Sequence, residues 1–286
     1  PRLSGEDGGA SLLSDPGALP RAGGARRRRA PLGRSGAGRS GRVPRGRPRL
    51  PRQARRPGRP REVVRVSRTP PARERLRCVL FDVDGTLIDT LDDIAGSVNH
   101  MLRSLALSER SIEEVRTFVG RGVRQLILRS VGEEREELVE RGLDLFSRHY
   151  EIHCLDRSRL MPGAAECLDR FAGRDLGIVS NKTEHFVRRM LDGLGIAGRF
   201  RAVYGGDSVA ERKPSPLMVR AALEALGRRP EEAILVGDLP VDVETGRAAG
   251  VFTVALLGGF GTGAELEAAS PDLILDGLAE LARRFA

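Results

Sequence analysis

Val79-Leu80-Phe81-Asp82-Val83-Asp84-Gly85-Thr86-Leu87 decides the reading of this 286-residue chain. An apolar run ends abruptly at Asp82, and Gly85 allows backbone conformations closed to residues that carry a Cβ. The pattern predicts a buried strand that delivers two carboxylates onto a tight turn. Side chains at i and i+2 of an extended strand share one side, so Asp82 and Asp84 can face one reaction centre. One then serves as nucleophile and the other as proton donor, with a hard cation offsetting their repulsion. An ordinary strand closing in an Asp-Gly turn is the alternative, and these nine residues alone do not separate the two.

Three later segments shift the balance. Leu176-Gly177-Ile178-Val179-Ser180-Asn181 is a second apolar strand, ending in a hydroxyl and an amide. Arg212-Lys213-Pro214-Ser215-Pro216 sets a cation ahead of a helix start, with Ser215 as N-cap and Pro216 as first helical residue. Ile234-Leu235-Val236-Gly237-Asp238-Leu239-Pro240-Val241-Asp242 is another apolar strand that ends in acid. In a parallel sheet with right-handed crossovers these strand ends lie along one edge. One crevice then collects three or four carboxylates, a hydroxyl and an ammonium, the groups that hydrolysis of a phosphate monoester requires. Carboxylates gathered there without a cation are costly, which argues against a merely structural cluster. The chain holds only Lys182 and Lys213 against 46 arginines, being 48 basic residues less two. A lysine kept against that bias does what a guanidinium cannot, namely place a compact point charge beside a phosphoryl oxygen. Lys213 fits that role. Lys182 is balanced between the site and the simple neutralisation of a helix start.

Together these segments resemble the haloacid dehalogenase superfamily, in its phosphoglycolate phosphatase-like branch. The resemblance covers roughly residues 77–286 and extends to Phe118-Val119-Gly120, Met161-Pro162-Gly163, Gly205-Gly206-Asp207 and Gly246-Arg247-Ala248-Ala249-Gly250. Ser180 stands where Thr is more usual, and both carry the hydroxyl. The resemblance implies a Rossmann-like α/β core, a doubly wound parallel sheet, with an inserted α-helical cap domain. It implies that Asp82 attacks phosphorus to form an aspartyl-phosphate, while Asp84 protonates the leaving oxygen and then activates water. It implies Mg2+ held by the carboxylates of Asp82 and Asp238 and the backbone carbonyl of Asp84, with Asp242 orienting a metal-bound water or Lys213. Ser180, Asn181, Gly85, Thr86 and Lys213 are the implied phosphoryl-binding positions. Asp84 speaks against a dehalogenase, which lacks an acid two positions after the nucleophile, and against the phosphorylating ATPases, which carry Lys there. A cap without lysine speaks against a phosphonoacetaldehyde hydrolase, and Thr86 against many mutases. The expected activity is a phosphatase for a small phosphorylated substrate, foremost 2-phosphoglycolate. A pyrophosphatase or a sugar-phosphate phosphatase or mutase is the alternative, and a catalytically idle module tethered by a basic arm is the non-enzyme one.

Composition divides the chain. The first 75 residues carry 21 Arg against 5 acidic residues (+16), and the other 211 carry 27 basic against 34 acidic (−7). The leader, residues 1–75, holds eleven of seventeen prolines and no aromatic residue, a composition that predicts disorder. The chain opens on Pro and its first Met is Met101, so the leader reads foremost as translated sequence ahead of a start near residues 63–76. An electrostatic arm for nucleic acid or an anionic membrane is the second reading, and a transit peptide the third. The folded part itself gives no reason to expect a nucleic-acid partner. The longest apolar stretch, residues 251–260, is glycine-broken and about half of a membrane span, so no membrane association is expected. Cys78, Cys154 and Cys167 lack metal-ligand spacing and fit reduced cysteines of a cytoplasmic protein.

Strands are expected near 77–83, 176–181, 202–205, 234–238, 252–256 and 272–275, and helices near 164–173, 183–194, 216–227, 241–249 and 277–285. That alternation predicts a doubly wound parallel sheet. Residues 91–158 interrupt it with four helix-like segments, a cap set between core residues 76–90 and 159–286. Thr90 and Asp93 have the spacing of a capping box for the first of them. Arg121 and Arg124, beside Gly120 and Gly122, are cap candidates for a substrate carboxylate, with a solvated helix face as the alternative. His149 and His153, at i and i+4 without a third ligand, read more as cap surface than as a metal pair.

Overall fold

A computed structural model describes residues 69–286, so the expectations for the leader lie outside the described residues apart from 69–75. The strands are β1 (Cys78–Phe81), β2 (Ile88–Asp89), β3 (Arg159–Leu160), β4 (Asp175–Val179), β5 (Ala202–Tyr204), β6 (Ala233–Gly237), β7 (Phe252–Leu256) and β8 (Leu273–Leu275). The helices are α1 (Leu91–Ser104), α2 (Ile112–Phe118), α3 (Val123–Val131), α4 (Val139–His153), α5 (Ala164–Arg170), α6 (Glu184–Gly193), α7 (Leu217–Leu226), α8 (Pro240–Ala249), α9 (Gly263–Ala269) and α10 (Leu278–Phe285).

Six strands form one parallel sheet in the order β5-β4-β1-β6-β7-β8. Every residue of β1, β4 and β6 is buried, as expected for strands covered on both faces, and this is why they read as continuous apolar runs. Alternate residues serve opposite faces. Val79, Phe81, Ile178 and Val236 join one apolar cluster, while Leu80, Val179 and Leu235 join another with Met218 and Ala222 of α7. The doubly wound α/β architecture is therefore present, with β1 central. Phe81 pairs with Ile178 and with Val236, so the chain leaves β1, β4 and β6 at the same edge. Open α/β sheets bind ligands at that edge.

The strands are shorter than expected, and this moves the acids. Asp82, Asp84, Ser180, Asn181 and Asp238 all lie just past a strand end. Strand alternation therefore does not align Asp82 with Asp84. A turn does so instead: Ile88 N–H donates to Val83 O at 3.0 Å and Gly85 N–H to Ile88 O at 2.8 Å. Gly85 has φ +81°, and a Cβ there would collide with Asp238 Oδ2.

Helices α1 to α4 are inserted between β2 and β3, giving the α-helical cap. The two strands pair antiparallel (Ile88↔Leu160, Asp89↔Arg159) and make the neck between cap and core. A two-residue strand has no periodicity to read, and this neck was not anticipated. The expected capping box at the start of α1 does not form. Thr90 makes no cap hydrogen bond there, because its hydroxyl donates to Asp84 Oδ1 at 2.7 Å. Asp93 accepts instead from Arg157 N, Ser158 N and Ser158 Oγ at 2.7–3.0 Å, tying the entry of the cap to its exit. Helix α7 begins at Leu217 with Pro216 as the capping position, one residue later than expected from Ser215. Among the described residues, no helix is long and apolar enough to cross a membrane.

Candidate active site

Asp82, Asp238 and Asp242 bring carboxylate oxygens within 4.8 Å of one another at the sheet edge, all buried. Lys213 Nζ stands among them, 2.6 Å from Asp242 Oδ1, 3.0 Å from Asp82 Oδ1 and 3.1 Å from Val179 O. Asn181 fixes this lysine, accepting from Lys213 N at 2.9 Å and donating to Lys213 O at 3.1 Å. Burial opposes the lysine's charge, yet Asp242 and Asp82 outweigh burial and raise its proton affinity above the ordinary value. Burial pushes the Asp82 carboxyl up to about 6, with Lys213 opposing the rise and Asp242 adding to it. Although Asp82 Oδ1 lies within ion-pair distance of Lys213, it accepts no hydrogen bond of good geometry.

The oxygens fit a hard divalent cation. Asp238 is fully buried, accepts from Thr86 Oγ1 and Phe260 N at 2.6 Å each, and has no ammonium or guanidinium partner among the described residues. Burial first, then Asp242 and Asp82, hold its carboxyl well above the usual carboxylate range. A bound cation would remove that penalty. Both oxygens of Asp242 are committed, Oδ1 to Lys213 and Oδ2 to Leu239 N at 3.1 Å. Asp82 Oδ1 accepts no hydrogen bond and the two oxygens of Asp238 meet only neutral donors, so Asp82 and Asp238 are the carboxylates left to face a cation.

Asp84 stands beside this cluster with partners of its own. Lys182 Nζ donates to both its oxygens at 2.9 and 3.2 Å, and Thr90 adds its hydroxyl. Burial disfavours the Lys182 charge, but Asp84 and Tyr150 reverse the balance and leave it above the ordinary value. The ammonium lies 4.8 Å from the Tyr150 ring centroid. Asp82, Asp84 and Ser180 open into a cleft whose cap side is largely apolar, with Val119, Val123, Leu126, Phe146 and Tyr150.

Several predicted positions carry other loads. The Asn181 side-chain amide donates to Gly120 O at 2.8 Å and to Lys213 O, so it staples cap to core while the residue lines the cleft. The Thr86 hydroxyl is spent on Asp238 and the Gly85 N–H on Ile88. Ser180 lines the cleft. Arg121 and Arg124 are exposed and do not line it, and Arg124 pairs with Glu140. His149 stacks between His100 and His153, and His153 pairs with Asp156. Sequence reasoning missed Thr90, whose only signal was a hydroxyl six residues after Asp84. It also missed the loop whose Phe260 N–H reaches Asp238, which has no local signature. Arg116 of α2 holds that loop through the Gly259 and Phe260 carbonyls.

Known proteins carry the same plan. Residues 79–256 match the family described as haloacid dehalogenase-like hydrolase. The phosphoglycolate phosphatase of Aquifex aeolicus is 36% identical over 211 residues, which is 73% of this chain and 96% of that protein. The phosphoglycolate phosphatase of Pseudomonas putida is 36% identical over 214 residues, 72% of this chain and 78% of that protein. The crystal structure of a predicted phosphoglycolate phosphatase from Haemophilus somnus 129pt superposes with a TM-score of 0.69 at 28% identity, covering 73% of this chain and 97% of that one. Matched over well more than half its length, with this sheet, this inserted cap and these acids at one edge, the chain belongs to the haloacid dehalogenase-like hydrolase family.

Proposed function

We propose that the chain is a phosphatase that hydrolyses a small phosphate monoester, foremost 2-phosphoglycolate, through an aspartyl-phosphate on Asp82. The observation that carries this reading is the pairing of two acids with two lysines at one sheet edge, Asp82 with Lys213 and Asp84 with Lys182. In the first step an Asp82 oxygen bonds to phosphorus, the bond from phosphorus to the ester oxygen breaks, and that oxygen leaves with the electron pair. Asp84 gives that oxygen a proton. In the second step Asp84 takes a proton from water as the water oxygen bonds to phosphorus, and the bond to Asp82 breaks to release inorganic phosphate.

Lys213 and the Ser180 hydroxyl hold phosphoryl oxygens where negative charge develops. Lys213 also keeps Asp82 ionised against the upward push of burial, and Asp242 holds Lys213 in place. The apolar cap wall excludes water from the cleft during transfer. Asp82 and Asp238, with the Asp84 backbone carbonyl, are the ligands we assign to Mg2+, which when bound neutralises charge on the transferring phosphoryl group. Residues 91–158 act as the cap and 76–90 with 159–286 as the catalytic core. The names of the Aquifex and Pseudomonas relatives support the substrate. Burial pushes the Cys78 and Cys167 thiols up to about 12, which supports inert, reduced cysteines in a cytoplasmic protein.

The test is turnover by the full chain, with Mg2+ or with EDTA, of 2-phosphoglycolate, pyrophosphate, sugar phosphates and p-nitrophenyl phosphate. Metal-dependent preference for 2-phosphoglycolate is the expected result. Preference for another ester would replace the substrate and keep the chemistry, and no turnover of any would refute the phosphatase.

A further inference from the structure

We infer that Lys182 is the specificity-determining residue of this site, reading a second anionic group placed close to the ester oxygen of the substrate. The inference rests on the phosphatase reading and deepens it. Among the described residues that line the cleft, the charged ones are Asp82, Asp84 and Lys182, so the cation facing an incoming substrate is Lys182. Lys213 does not line the cleft; it pairs with Asp82 and Asp242 and is assigned to the transferring phosphoryl group. The cap contributes apolar side chains to the cleft, and its arginines at 121 and 124 face away from it. A carboxylate carried by the substrate therefore meets one positive charge.

That charge has a defined reach. The Lys182 side chain is 7% exposed, and two of its three donors already touch Asp84. Asp84 is the acid assigned to the leaving oxygen. An anion held by an ammonium that is one hydrogen bond from Asp84 must lie within a few covalent bonds of that oxygen. In 2-phosphoglycolate one methylene separates them. Asp84 keeps the Thr90 hydroxyl when the ammonium is shared with a substrate. The apolar wall lowers the local dielectric and strengthens the ion pair. The substrate class is thus an α-phospho-carboxylate, a short acid esterified next to its carboxyl group.

The test compares 2-phosphoglycolate with ethyl phosphate, which keeps the two carbons and the ester oxygen but has no carboxylate. Full-length wild type, Lys182→Met, Lys182→Arg and Arg121→Ala are assayed with Mg2+, and the readout is the ratio of the two kcat/KM values. Loss of one charge-assisted contact predicts that Lys182→Met reduces the ratio by at least about 10-fold, whatever happens to kcat, and that Lys182→Arg recovers part of it. Equal losses on both esters would overturn the inference and leave Lys182 as a support for Asp84. Collapse of the ratio in Arg121→Ala instead would overturn it in favour of the cap. Wild type that hydrolyses both esters without preference would overturn it while the phosphatase reading stands. Hydrolysis of neither ester, nor of the wider panel, would remove the phosphatase reading itself. Should Lys182→Met not fold, wild type decides with 2-phosphoglycolate, 3-phosphonooxypropionate and 4-phosphonooxybutyrate. A fall of about 10-fold or more at the first added methylene is expected from a fixed ammonium, and a flat series would overturn the inference.

Discussion

Lys213→Met separates a buried charge network from a merely crowded one. The substitution keeps the alkyl stem and removes the ammonium, leaving Asp82 and Asp242 without their cation in a site where neither is appreciably exposed. Removing one partner of a buried pair costs about 3–5 kcal/mol, since the remaining charge loses its compensation. The Asp82 carboxyl gives an independent scale. It stands at about 6 against an ordinary 3.8 even with Lys213 present, so its ionisation already costs about 3 kcal/mol at neutral pH. Because the folded-state value is raised, the contribution of Asp82 to stability is present below pH 3.8 and lost as pH rises through about 6. Without Lys213 that loss deepens and extends to higher pH. The gap between wild type and Lys213→Met should therefore be small near pH 4 and reach about 4 kcal/mol at pH 8 in EDTA. For a domain of this size, that is a Tm drop of roughly 8–16 °C. Urea titrations across this range, in EDTA, measure it. A second substitution, Asp242→Asn, should recover part of the loss, since one uncompensated charge goes with it. A gap below about 1 kcal/mol at pH 8, or one that does not widen with pH, would refute the claim that Lys213 holds two ionised carboxylates.

Asp238 is fully buried and has no cationic partner among the described residues, so Mg2+ should stabilise the metal-free protein, by about 2.7 kcal/mol at 100 times its Kd. Asp238→Asn should abolish that shift in a thermal melt, and an undiminished shift would place the metal elsewhere. Asp93→Ala strands the Arg157 and Ser158 N–H groups that close the cap neck, and should cost about 2–4 kcal/mol by urea denaturation. A cost within about 0.5 kcal/mol would show the neck held by other contacts.

The core was legible because its chemistry coincides with its burial pattern. In β1, β4 and β6 an apolar run stops at the residue where the chain meets the site, and each stop places a polar group there, Asp82, Ser180 or Asp238. Both lysines stand against acids at the sheet edge, Lys213 against Asp82 and Asp242 and Lys182 against Asp84, and arginine is so abundant here that a lysine stands out. The same abundance made Arg121 and Arg124 poor signals, and both face solvent. Local pattern failed where a distant partner outcompeted a near one. Thr90 has the spacing to cap α1, yet Asp84 takes its hydroxyl, and Asp93 takes two amides from the far end of the cap. The resemblance implied phosphoryl-binding places for Asn181, Thr86 and Gly85; in the fold the Asn181 and Thr86 side chains and the Gly85 N–H also hold Lys213, Asp238 and the turn, which no local pattern announces. The β2–β3 neck and the Phe260 amide depend on tertiary pairing and leave no periodic mark.

Chemical trapping on Asp82 tests the central claim most directly. Full-length protein is mixed with 2-phosphoglycolate and Mg2+, quenched in acid within a turnover and reduced with borohydride, which converts an aspartyl-phosphate to homoserine. Peptide mass spectrometry then locates the change. The account predicts homoserine at position 82, absent with EDTA and absent in Asp82→Asn. Turnover without any modified aspartate, or with the modification at Asp84, Asp238 or Asp242, would contradict it.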